Sequence, residues 1–266
     1  MTGLVDGAMT EDPTPSVPDI SSQSSASEPG RLTNSVRMTI QTRVAQRLIH
    51  GRRSDPTREI PAIAGLYRYA AMTRLLWFAS LGDDPYADWW LLRIEQEVNS
   101  VREQLHDMRS DIGDLLNGAP SMDVSLAHSS EPTSVELTFA TPYAYQGAYL
   151  LADLDIFVLA AMTARFVGLL DRNTFEKRLA DSGRGVRRLF ATVQGYRHLT
   201  VTRNDVRQQT QKGRYAIELM GPLPEAVLNR SLRAAHAPAL RISSEGPLAR
   251  ESTHIETEFP GPSSKG

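Results

Sequence analysis

Val36, Met38 and Ile40 alternate with Arg37, Thr39 and Gln41, a period of two that predicts a half-buried strand. Thr42 is placed to cap a short helix with Val44, Ala45, Leu48 and Ile49 inward, Arg43 and Arg47 outward, and Gly51 as its stop. After a loop holding Arg52, Arg53 and Pro56, Pro61 is expected to open a second helix. Its inner side would carry Ile63, Leu66, Ala70, Thr73, Trp77 and Leu81, with Gly82 closing it. Asp84-Pro85 begins a long helix reaching about Asn117. Leu91, Ile94, Val98, Val101, Leu105, Met108, Ile112 and Leu115 recur along it at alternating steps of three and four, an a/d seam over four heptads. Two strands, Met122–His128 and Ser134–Ala140, are expected to form a hairpin through SSEPT. Thr141-Pro142 then starts a helix to about Leu170 that is apolar nearly all round, the central buried helix, whose Asp153 and Asp155 need partners such as arginine. Helical pieces at Asn173–Ala180, Arg184–Tyr196 and Arg203–Met220 complete the body, the last with a Thr202/Asp205 capping box. The fold class is mainly α with a small antiparallel β element (α+β).

Composition adds boundaries. Residues 1–34 and the segment after about Pro238 are rich in Ser, Pro and Thr and are expected to be disordered tails, leaving a folded body over 35–236. There is no Cys, which excludes a disulfide framework and thiolate chemistry. The first residues lack a secretory pattern, and the longest unbroken apolar run, Ile156–Met162, falls far below the ~20 residues a spanning helix needs. A cytoplasmic protein without a membrane partner is the expectation. The net charge of -2 conceals strong blocking. Residues 31–53 carry six Arg and no acid, 83–114 are mostly acidic, and 165–214 are strongly basic. Two basic segments can build one positive face in space.

Enzyme chemistry finds no support. The six His have no HxxxH, HxH or HExxH spacing, and no phosphate loop, GxGxxG or GxSxG is present. No metal site or cofactor is expected, and the acids Asp83, Asp84 and Asp88 suit a capped helix start better than a metal. The 36–41 strand does match a chemistry. In ribbon-helix-helix readers two copies of such a strand, one from each chain, pair antiparallel across a two-fold axis and enter the major groove together. There alternate side chains meet base edges: Arg suits guanine, Gln adenine, Thr the thymine methyl or either base. Arg37, Thr39 and Gln41 share one face, and Arg43, Arg47, Arg52 and Arg53 follow for phosphates. The same alternation equally suits an ordinary edge strand whose Arg37 discourages edge pairing, and the 51–60 loop is long for a ribbon-helix-helix turn. Additional phosphate contacts are open to Arg184, Arg187 and Arg188 and to Arg203, Arg207 and Arg214, or these form solvated helix faces. The heptad seam suits an interchain contact or a long hairpin somewhat better than ordinary globular packing.

The segments MTIQTRVAQRLIHGRR, DDPYADWWLLRIE, TPYAYQGAYLLADLD, FVGLLDR and VQGYRHLTVTRNDVRQ together resemble a protein family of bacterial integrating conjugative elements, related to AcaB-type transcriptional activators of conjugative plasmids. The resemblance covers roughly residues 36–236. It implies mobile-element biology and a dimeric, nucleoid-associated DNA binder with an atypical ribbon-helix-helix element, whose reading strand would carry Arg37, Thr39 and Gln41. The expected function is thus a DNA-binding regulator of an integrating conjugative element, with double-stranded DNA and a second copy of the chain as partners. The alternative is a non-catalytic conjugation accessory protein holding a protein partner through the 85–117 helix.

Overall fold

The computed structural model describes residues 36–55, 57, 59, 61–118 and 122–240. The expected disordered tails lie outside these residues, apart from 237–240. Strand β1 (Val36–Ile40) leads into helix α1 (Arg43–His50), capped as anticipated: Thr42 Oγ1 accepts from the Ala45 amide at 3.3 Å. Gly51 then adopts φ 70°, and a Cβ there would lie 2.2 Å from the Ile63 carbonyl oxygen and 2.5 Å from the Gly65 nitrogen. Only glycine allows that approach. It lets Arg52 and Ile63 exchange backbone hydrogen bonds at 2.9 and 2.8 Å, which ties off the loop between them. Residues 61–65 are held extended by this clasp, so the second helix begins at Leu66 instead of Pro61 and runs as α2 (Leu66–Leu81).

Helix α3 (Pro85–Asn117) starts where its cap predicts, with Asp84 accepting from the Tyr86 and Ala87 amides. Most of its a/d stripe is buried, but Met108 is half-buried and Leu115 is exposed while Leu116 takes the last inner place. A straight helix of 3.6 residues per turn drifts about 20° per heptad, which over four heptads moves the inner position nearly one residue onward. The seam packs against α2, α4 (Pro142–Phe166) and α5 (Arg172–Thr192) of its own chain, which is the globular alternative and not an interchain zipper.

Helix α4 is the buried centre, packed by α1, α2, α3, α5 and β1. By length and composition it is apolar enough to cross a membrane, yet 72% of its most apolar stretch is buried inside the protein. Asp153 finds the expected arginine, Arg109, at 2.8 Å. Asp155 does not: it accepts from the backbone amides of Gln41 and Thr42 at 2.8 and 2.9 Å, fastening the end of β1 to α4.

The sheet differs from the expected hairpin. Residues 122–128 form no strand; they lie along α4, where the Ala127 amide donates to Thr163 Oγ1 at 2.9 Å. Strand β2 (Thr133–Leu137) pairs antiparallel with β1, in a register running from Val36 opposite Leu137 to Ile40 opposite Thr133. Met38, Ile40 and Leu137 enter the common core together, burial that a 122–140 hairpin would forgo.

Two further boundaries moved. The pieces expected at 173–180 and 184–196 are one helix, α5, because Gly185 lies so close to α3 that a Cβ would sit 2.9 Å from Gln104 Oε1; packing overrides the weak helix propensity of Asp181-Ser182-Gly183. The single helix expected at 203–220 is two, α6 (Arg203–Arg207) and α7 (Gln211–Met220), since Thr210 Oγ1 caps the second and donates to Asp205 at 3.0 Å. The Thr202/Asp205 capping box is present. A short α8 (Glu225–Leu228) follows.

Candidate nucleic-acid interface

The β1–β2 ribbon has one face in the core and one in solvent. Arg37 and Thr39 of β1 and Ser134 and Glu136 of β2 are all exposed, with Arg37 opposite Glu136 and Thr39 opposite Ser134. Among the described residues the sheet has only these two strands, so each keeps an unpaired edge. Gln41 departs from the anticipated row. It is half-buried, and its side-chain carbonyl oxygen accepts from the Ser129 amide at 3.0 Å. Bidentate reading of adenine needs both ends of the amide free, so the geometry takes Gln41 off the reading face and makes it a brace between the ribbon and the 129 turn.

Arg43 and Arg47 are exposed on the outer side of α1, and Arg52 and Arg53 follow, also exposed. The Arg52 side chain donates to the Pro61 carbonyl at 3.1 Å, while the side chains of Arg47 and Arg53 make no hydrogen bond or ion pair among the described residues.

The second basic block divides. Arg184 pairs with Asp181 at 2.8 Å, and Arg188 pairs with Glu97 of α3. Arg207 donates to the Leu228 carbonyl and Arg214 to the Gln209 carbonyl, each at 2.6 Å. The split between α6 and α7 also removes the single row once expected of Arg203, Arg207 and Arg214. Arg203 is a clear correction. It is 2% exposed, its guanidinium bonded to the carboxylates of Asp83 and Asp88, with Nε donating to the Val227 carbonyl at 3.2 Å. Asp88, fully buried, also accepts from Arg233 Nε at 3.0 Å. Buried charges survive only when paired in this way, so Arg203 is structural and Asp83 and Asp88 are its counterions. Of the six arginines anticipated in this block, Arg187 turns, half-buried, toward α1 and Arg52. No group of acids or histidines that could hold a metal occurs among the described residues.

A family model described as transcriptional regulator AcaB matches residues 28–241. The chain belongs to the AcaB family. A solved structure, selenomethionine-containing AcaB from uropathogenic E. coli, is similar to it in fold at 12% identity, with a TM-score of 0.52, covering 77% of this chain and 100% of that one. Comparison with curated proteins finds no match. AcaB membership makes the chain a transcriptional regulator, a class that is non-enzymatic in general, and supports DNA as its partner. For this AcaB-family chain, sequence reasoning missed Ser134 and Glu136 on the outer ribbon face, because it paired their strand with 122–128. It also missed Arg68 and Arg197, which the fold brings beside Arg52 and Arg53. Their isolated positions gave no periodic signal; only the folded chain brings them together.

Proposed function

We propose that the chain is a DNA-binding transcriptional regulator, an activator of genes on an integrating conjugative element, that reads the major groove with the β1–β2 ribbon. The observation carrying this is a solvent-facing ribbon of four polar side chains, Arg37, Thr39, Ser134 and Glu136, on a family of transcriptional regulators. The major groove admits a two-stranded ribbon. One chain supplies both strands here, so a single copy already forms a reading head, and a homodimer would present two of them to two half-sites. Arg37 suits a guanine edge, Glu136 a cytosine amino group, and Thr39 a thymine methyl. Arg43, Arg47, Arg52 and Arg53 would position the backbone.

Binding measured against salt and against single base-pair changes separates these roles. Arg37→Ala should relax discrimination at one base position at a cost of about 1–3 kcal/mol. Arg52→Ala should weaken all sequences alike and reduce the salt slope by about one. Identical behaviour of the two variants would refute the division of roles, and mass measurement on the complex gives the number of copies.

A further inference from the structure

Two clefts adjoin between α1, the start of α2 and the end of α5. One, of about 390 Å³, is lined by Arg47, Arg52 and Arg187 together with Val44, Leu48 and Ile63. The other, of about 640 Å³, is lined by Arg52, Arg53, Arg68 and Arg197, with His50. They share Arg52 and Ile63, and neither is lined by a carboxylate. Six guanidinia therefore converge on one concave surface with no acid among the lining residues. The side chains of Arg47, Arg53, Arg68 and Arg187 make no ion pair or hydrogen bond among the described residues. Arg187 is the most telling of them: half-buried beside Arg184, it has its pKa pushed down first by burial and then by that neighbouring charge.

Like charges gathered in this way repel, and a partly desolvated guanidinium without a counterion is costly. Several arginines outside the cleft are answered by acids, as Arg188 is by Glu97 and Arg203 by Asp83 and Asp88. Here no carboxylate among the described residues answers them, and Arg52 and Arg197 reach only backbone carbonyls, such as those of Pro61 and Gln194. Guanidinium forks match phosphate oxygens bidentately, and several in a row match several phosphates. The uncapped start of α2 at Gly65, with no acid in its first turn, opens onto the larger cleft and adds to the positive potential.

We propose that the paired cleft is an oligophosphate site, taking successive phosphates of one chain across Arg47, Arg52, Arg187 and then Arg53, Arg68 and Arg197. The phosphates come from the backbone of the duplex read by the ribbon or from a free polyphosphate. The duplex source rests on the ribbon reading and the free source does not.

The test compares the full chain with Arg53→Gln/Arg68→Gln, two exposed side chains with no hydrogen bond or ion pair among the described residues, whose replacement should leave thermal unfolding, measured alongside, as in the parent. Binding is measured to a duplex of about 20 base pairs over a range of salt, and separately to inorganic tripolyphosphate. If the duplex occupies the cleft, the double variant lowers the salt slope by about two and keeps its base preference. If a free polyphosphate occupies it, the duplex slope holds while tripolyphosphate affinity falls at least about tenfold. Unchanged slope together with unchanged or absent tripolyphosphate binding overturns the site. Should the parent chain bind no duplex, the ribbon reading fails, and the tripolyphosphate measurement alone decides the cleft.

Discussion

Arg203 and Arg187 belong to one basic block, and their surroundings give them opposite duties. Arg203 neutralises Asp83 and Asp88 inside the protein, so Arg203→Ala leaves Asp88 buried with Arg233 as its one remaining cation and the Ser80 hydroxyl as a neutral donor. Loss of one partner of a buried pair should cost about 3–5 kcal/mol in urea unfolding, far more than Arg184→Ala, whose pair with Asp181 lies at the surface. Asp84 carries a different burden. Burial raises its carboxyl pKa, outweighing the Tyr196 hydroxyl, the first-turn amides and the charge of His198, which pull the other way. The folded chain therefore holds this proton more tightly than the unfolded one, and stability falls as pH rises from the ordinary carboxylate value through the raised one. Asp84→Asn keeps an N-cap acceptor without that titration. Its urea midpoint should gain on the parent's as pH rises above about 4.

Among the elements, those announced by local chemistry appear where the sequence puts them. Thr42, Asp84 and Thr141 each cap the helix that follows, and Gly51 and Gly82 each end one. Elements that depend on distant partners were harder to read. The pairing of β2 is decided by β1 across nearly a hundred residues, and the continuity of α5 by a close approach to α3. The heptad stripe shows both sides of this. Its period identified a buried face, but periodicity alone does not say whether another chain or the same one covers it. The drift along α3 supplies a check on its packing: Leu116→Ala should cost about 2–5 kcal/mol and Leu105→Ala a similar amount, with Leu115→Ala well below both, in denaturant unfolding. An equal cost at Leu115 would mean that the stripe is covered there too.

At the scale of the whole molecule, the charge blocks of the sequence sort themselves into internal pairs and one open basic surface. Three acids of α3 are spent on the second basic block, Glu97 on Arg188, Asp111 on Arg178, Asp88 on Arg203. That leaves the arginines of α1 and the following loop facing solvent, joined by Arg68, Arg187 and Arg197 from elsewhere in the chain. Net charge gave no hint of this, because the cancellation happens within particular pairs and spares one surface. The outer face of the ribbon differs in membership from the anticipated row: Arg37 and Thr39 are exposed, Gln41 turns inward, and Ser134 and Glu136 share the face from β2. Selection of bound fragments from a randomised duplex pool, run in parallel with the parent chain and Arg37→Ala/Thr39→Ala, addresses that ribbon directly. The parent should enrich a discrete sequence, and the double variant should bind with similar salt dependence but lose preference at adjoining positions of it. Enrichment of the same sequence to the same degree by both proteins would mean that the ribbon does not read DNA.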